Sequence, residues 1–182
     1  MSGLDQRIVL APTDGSLGPL LRIADDRLDA RAGYGAHQHR DVDVVAIVLT
    51  GSLRHRWADG AELAAGDLAV LRAGSGVTHD EVAGDDGARL LQCYLRSAEP
   101  GAPPSHEVHH AADGWVELRR PDVRLWVARL RPGDDVVVPA GLLVVRGVDG
   151  VVVEHQTGHP VQGPALVLVW QLDTARPAWT RE

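Results

Sequence analysis

Short runs of Val, Ile and Leu recur between Gly, Pro and Asp turns along this chain, and almost no stretch has the three-to-four-residue apolar spacing of an amphipathic helix. That pattern suits a sandwich or a barrel, so the predicted fold class is all-β. The strands expected are Asp43 to Leu49, Gly51 to Trp57, Leu68 to Leu71, Leu90 to Leu95, Leu125 to Leu130, Asp135 to Val138, Leu142 to Val145, Val151 to His155 and Leu166 to Gln171. The turns between them are Asp59-Gly60, Gly66-Asp67, Asp86-Gly87, Pro132-Gly133 and Asp149-Gly150. Only Gly18 to Asp29 is a candidate for a short helix.

With 182 residues, 45% of them apolar, the chain can bury one large β core or two small ones. The run Ser97 to Ser105 contains three prolines, which cannot serve in a central strand. The expected organisation is a first domain over residues 1–96, a linker over 97–114 and a second β segment over 115–182. A short echo relates the two parts: Gly66 to Gly74 matches Gly133 to Gly141 at five of nine positions.

Net charge is -7 and every basic residue is Arg, a balance that argues against direct binding to nucleic acid. The longest apolar stretch, Val136 to Val145, is broken by Pro139 and Gly141 and falls short of the roughly 20 residues that span a bilayer. The amino terminus shows no basic start followed by a continuous apolar run. A soluble, cytoplasmic protein with no membrane partner is expected. The single cysteine, Cys93, allows neither an internal disulfide nor a thiolate metal cluster.

His37 and His39 stand two residues apart, and in an extended strand that spacing sends both imidazoles to one face. His79 and Glu81 repeat the spacing after the Gly-rich turn Ala73-Gly74-Ser75-Gly76. Two such strands facing each other would bring three nitrogens and one carboxylate to a shared point, a donor set suited to a borderline divalent metal. Four polar side chains aimed into a barrel would be costly without one.

These segments resemble a known family. Gly35-Ala-His-Gln-His-Arg40, Val48-Leu-Thr-Gly51, Gly66-Asp67 and Ala73-Gly-Ser-Gly-Val-Thr-His-Asp-Glu81 are similar, in order, to the amino-terminal cupin of the pirin family. The resemblance covers roughly Gly33 to Arg96. It implies a bicupin fold with one metal ion, usually iron, held by ligands that map onto His37, His39, His79 and Glu81. It also implies quercetin 2,3-dioxygenase activity or iron-dependent binding to regulatory proteins. Asp43 stands where cupins commonly carry a Glu. The carboxy-terminal half is short, so the second cupin should be truncated. No ligands reappear in it: His79 and Glu81 align with Arg146 and Val148, and an alternative alignment places Asp135 at His39.

The expected activity is a dioxygenase using O2 on a small hydroxylated aromatic, with Fe(II) as the metal and Mn, Ni, Cu or Zn as alternatives. Glu81 is the candidate catalytic base, accepting the substrate hydroxyl proton. The competing expectation is a non-enzymatic, iron-dependent interaction protein with a protein partner. That role needs a charged patch, for which Arg40, Arg54, Arg56 and Arg72 are candidates.

His55 is expected to point into the barrel as a hydrogen-bond partner of the ligands. Gln92 and Tyr94, two apart on a later strand, are candidates to line the pocket. His106-Glu-Val-His-His110 satisfies the letter of H-E-x-x-H, but a zinc-protease site needs a helix. Pro103 and Pro104 before it and Gly114 after it leave no room for one, so the segment is expected to be a solvated linker turn. His155 and His159 are expected on the surface.

Overall fold

The computed structural model describes residues 3–58, 60–156, 158 and 160–175. Asp59, of the expected Asp59-Gly60 turn, and His159 lie outside them. Among the described residues there is no helix, and hence none long and apolar enough to cross a membrane. The chain forms two compact units. One comprises the residues up to Ala11 together with Leu21–Ala111, and the other Pro12–Leu20 and the residues from Ala112 onward.

The first unit is built from β1 (Leu4–Leu10), β2 (Leu20–Leu28), β3 (His37–His39), β4 (Val42–Arg56), β5 (Ala61–Ala64), β6 (Leu68–Arg72), β7 (Val77–Arg96) and β8 (Ser105–His109). Six strands run in the order β1-β2-β7-β4-β6-β8, with β3 paired to β7 and β5 to β4. The antiparallel pair of β4 and β7 is the spine, running from Val42 opposite Arg96 to Arg56 opposite Asp80. Alternation along β4 and β7 puts Ala46, Val48 and Leu90 on one face. They pack with Leu28, Leu53, Leu63, Ala69, Ala83 and Ala88 in one cluster. Strands as far apart in the sheet as β2 and β6 contribute to it, although neighbouring strands lie about 4.8 Å apart. The sheet therefore curls around its own core.

Several expectations are corrected here. The segment Gly18 to Asp29 is not helical: its central part is β2, paired with β1 from Leu4 opposite Leu28 to Leu10 opposite Ile23. The ladder with β1 makes it a strand and sets Arg22, Ala24, Asp26 and Leu28 on one face. The segments read as two strands around Thr50 are one strand, with register shifts where Gly51 takes φ 72°. A side chain there would collide with the Gly87 carbonyl. Asp86-Gly87 lies within β7 and is not a terminating turn.

Residues Ser105–His109 form β8, paired with β6 from Arg72 opposite Ser105 to Leu68 opposite His109. The His106 segment is therefore not a solvated turn. Its period-2 pattern places His106 opposite Leu71 and Val108 opposite Ala69, both core residues, so β6 has an edge that this segment can cover.

The second unit contains β9 (Gly114–Val116), β10 (Val123–Leu130), β11 (Asp135–Val137), β12 (Gly141–Arg146), β13 (Val151–Gln156), β14 (Pro160–Gln162) and β15 (Ala165–Leu172). Five strands form a sheet in the order β13-β12-β15-β10-β9, and β11 pairs with β14. Its core joins Ala128, Val138, Leu143, Val161, Val167 and Val169. The sequence echo has a structural counterpart. Asp67 accepts the Ala64 amide at 2.9 Å and Asp134 accepts the Arg131 amide at 2.7 Å, so both Gly-Asp pairs close the same turn with a carboxylate three residues on. Among the described residues, no group of three converging metal-donor side chains falls in this unit.

Candidate metal centre

Strand β3 lies against the start of β7 with His37 opposite His79 and His39 opposite Val77. Directly opposed residues share a face, so His37, His39 and His79 project to one side, while Gln38 and Thr78 face the other and are exposed. Ring centroids are 4.4 Å apart for His37 and His79, 4.8 Å for His37 and His39 and 5.1 Å for His39 and His79. One nitrogen from each of the three lies within 4.8 Å of the other two.

The His37 Nδ1–H donates to the Gly35 carbonyl at 2.7 Å, because a carbonyl can only accept. This tautomer leaves Nε2 with its lone pair free to ligate. His79 is 3% exposed, and neither of its ring nitrogens has a hydrogen-bond partner among the described residues. Burial pushes its pKa down to about 4 against the opposing pull of Glu81. Burial, and then the neighbouring His37, also lower that of His39. Neutral imidazoles with converging lone pairs fit a divalent metal ion, and buried His79 has no other partner to satisfy it.

Glu81, two residues beyond His79 on β7, faces the same way and stands opposite His55 of β4. Its Oε1 is 2.6 Å from His55 Nε2, and its Oε2 accepts from Gln92 Nε2 at 2.9 Å. Gln92 Oε1 in turn accepts the Tyr94 hydroxyl at 3.0 Å. Burial works against ionising Glu81, but His55, His79 and the Gln92 amide outweigh it and hold the carboxyl below its ordinary value. His55, His79 and Glu81 form a second converging set that shares His79 with the first.

Sequence reasoning missed four neighbours. His106 Nε2 lies 2.9 Å from His55 Nδ1, and its alternation with Val108 on a β-rich chain was the available signal. Burial, followed by the charge of His55, pushes His106 down to about 4. Asp26 on β2 is fully buried and accepts from the Tyr34 hydroxyl at 2.6 Å and the Gln6 amide at 3.0 Å. The Tyr34 ring is 6.1 Å from His37. Arg22 stacks on Tyr94 at 4.0 Å, and the Tyr94 ring is 5.7 Å from His39.

Residues 12–95, which hold β2 to β7 up to Leu95 and all three clustered histidines, match the Pirin family model. Through this segment the chain resembles the pirin family. Over 108 residues the chain is 30% identical to a protein of Escherichia coli K12 named quercetin 2,3-dioxygenase, covering 56% of this chain and 47% of that relative. The chain thus spans about half the length of that curated relative. The fold is like that of Escherichia coli YhhW, with a TM-score of 0.73 at 19% identity over 96% of this chain and 93% of that one. It is similarly like bacterial pirin YhhW solved in complex with nickel(II), with a TM-score of 0.71 at 20% identity over 95% and 93% of the two chains.

Proposed function

We propose that His37, His39 and His79, with Glu81 as the fourth donor, hold one divalent ion, iron(II) in first place, and that this chain is a quercetin 2,3-type dioxygenase. Its substrates would be a small hydroxylated aromatic and O2. The observation that carries this reading is His79: a buried imidazole with two unpartnered nitrogens, set between His37 and His39. The names of its relatives support the reaction class.

The metal would supply a Lewis acid that binds an oxygen of the substrate and lowers its pKa. The protein's own part is proton transfer and orientation. Glu81 is ionised and positioned by His55 and Gln92, so its carboxylate takes the hydroxyl proton of the substrate. The Tyr94 hydroxyl holds the Gln92 amide in the orientation that lets its NH2 face Glu81. Half-buried His37 and His39 form the open side of the cluster, where a substrate enters.

The interaction-protein reading has less support. Of its four candidate arginines, Arg54 pairs with Glu62, Arg56 with Asp80 at 3.8 Å and Arg72 with Glu107 at 3.3 Å. The patch it requires is largely neutralised. The deciding experiment is elemental analysis of the wild type and His79→Ala, followed by oxygen uptake with flavonols and catechols on iron-loaded protein. One iron per chain, lost in the variant, with uptake that depends on substrate, supports the reading. Wild-type protein that holds no metal after anaerobic reconstitution with iron(II) refutes it.

A further inference from the structure

Strand β2 carries Arg22, Ala24, Asp26 and Leu28 on one face, by the two-residue period of a strand. Leu28 belongs to the core cluster of the first unit and Asp26 meets Tyr34, so this face looks into the curled sheet. Arg22 is therefore directed inward, and its guanidinium lies 4.0 Å from the centroid of the Tyr94 ring. Tyr94 is in turn 5.7 Å from His39. The cation stands one aromatic ring away from the histidine cluster.

Arg22 is only partly exposed, and its Nε is buried without a hydrogen-bond partner among the described residues. Several other arginines of this unit pair with carboxylates, among them Arg31 with Asp85, Arg54 with Glu62, Arg72 with Glu107 and Arg89 with Asp25. Among the described residues no carboxylate lies at ion-pairing distance from Arg22. Asp26, on the same face, spends one oxygen on the Tyr34 hydroxyl and the Gln6 amide. A cation held over a ring keeps its in-plane N–H groups available, and a guanidinium presents them in the fork that fits a carboxylate. Arg22 interacts with Tyr94 and, through space, with Asp26, but no carboxylate closes on its guanidinium and its Nε is left for a ligand to complete.

We propose that Arg22 selects the substrate by binding its carboxylate, so that the molecule acted on is a small hydroxylated aromatic acid. Its hydroxyl oxygens face His37, His39 and His79, and its acid group lies at the other end, over Tyr94. The inference rests on the reading of the histidine cluster as a metal site and narrows the ligand of that site. Three neutral imidazoles and one carboxylate leave a divalent ion with one net positive charge; Arg22 adds one and an ionised Asp26 removes one, so the assembled site keeps about one net positive charge and favours an anion.

The test compares two probes that differ by one carboxylate, 3,4-dihydroxybenzoate and catechol, titrated calorimetrically into the full chain loaded with zinc. Metal content is measured on the same samples. The acid should bind about ten-fold tighter than catechol or better. Arg22→Gln should erase that preference while keeping catechol affinity and zinc content, and Arg22→Lys should restore part of it. Equal binding of the two probes by zinc-loaded wild type, or a preference that survives Arg22→Gln, overturns the anion subsite and leaves the metal reading standing. Wild-type protein that takes up neither zinc nor, anaerobically, iron(II) overturns both.

Discussion

His55 Nε2 stands 2.6 Å from Glu81 Oε1, with both side chains buried, and this contact fixes what the carboxylate can do. Glu81 sits on β7 directly opposite His55 on β4, so the pairing is a cross-strand contact built into the register. Glu81 Oε2 accepts from Gln92, while Oε1 lies close to His55 Nε2 without a formed hydrogen bond, so each oxygen keeps lone-pair capacity. The group can therefore accept a proton or a metal bond without leaving its partners.

Removing the imidazole strands a buried negative charge. His55→Ala should destabilise the protein by about 1–3 kcal/mol in urea unfolding, the range for leaving a buried polar group without its partner. Adding Glu81→Gln to that variant should recover part of the loss, because the uncompensated charge is gone. A His55→Ala loss below about 1 kcal/mol would show that the contact carries little weight.

Glu81→Gln alone keeps the shape of the side chain and removes the base. Metal content should stay near that of the wild type, since three histidines remain. Turnover with a responsive substrate should fall by roughly 10²–10⁴, the contribution typical of a positioned general base. Full activity in this variant would rule out the proton-acceptor role.

Low pH tests the buried histidines in metal-free protein. His79 and His106 have pKa values near 4 against an ordinary 6.5, so the unfolded chain binds their protons more tightly. The stability this carries is complete above pH 6.5 and lost as pH falls from 6.5 towards 4. Each group contributes a slope of up to ~1.4 kcal/mol per pH unit in that window. Urea midpoints measured on chelator-treated protein should drop between these limits, and His106→Gln should remove about half of the drop. A flat profile would contradict the assignment.

The H-E-x-x-H pattern makes a separate prediction. In β8 the glutamate of that motif, Glu107, pairs with Arg72 at 3.3 Å and lies 3.7 Å from His109. Only a helix would bring two histidines four apart onto one metal with this glutamate as base. Glu107→Gln should leave metal content and oxygen uptake unchanged and shift stability by no more than ~1 kcal/mol. A loss of metal in that variant would reopen the protease-like reading.

The two H-x-H and H-x-E pairs were legible because strand alternation is a local rule: two residues apart means one face, whatever the tertiary fold. Strand identity followed from the same Val-rich runs. The position of Arg22 was not legible, since an apolar run interrupted by charge at Arg22 and Asp26 fits a frayed helix as readily as a strand whose face looks into a polar site. The role of His106 depended on β8 adding to the edge of β6, a long-range pairing that no local pattern encodes. Prolines marked the segment as a connection, and they do end at Pro104, one residue before the strand begins.

His79 provides a test that needs no substrate. In metal-free protein its two ring nitrogens are buried without partners, which costs free energy that an apolar side chain would not. His79→Leu should therefore leave the metal-free protein as stable as the wild type or more so, by about 1–3 kcal/mol. Metal should act in the opposite sense on the wild type: at 100 times its Kd a bound ion adds about 2.7 kcal/mol, and the variant should gain markedly less at the same metal concentration. Thermal unfolding of both proteins with and without added metal reads all four states. If the variant responds to metal as strongly as the wild type, His79 is not a ligand. If the metal-free variant instead unfolds several kcal/mol more easily, the imidazole is held by packing and its unpartnered nitrogens are no sign of a missing ion.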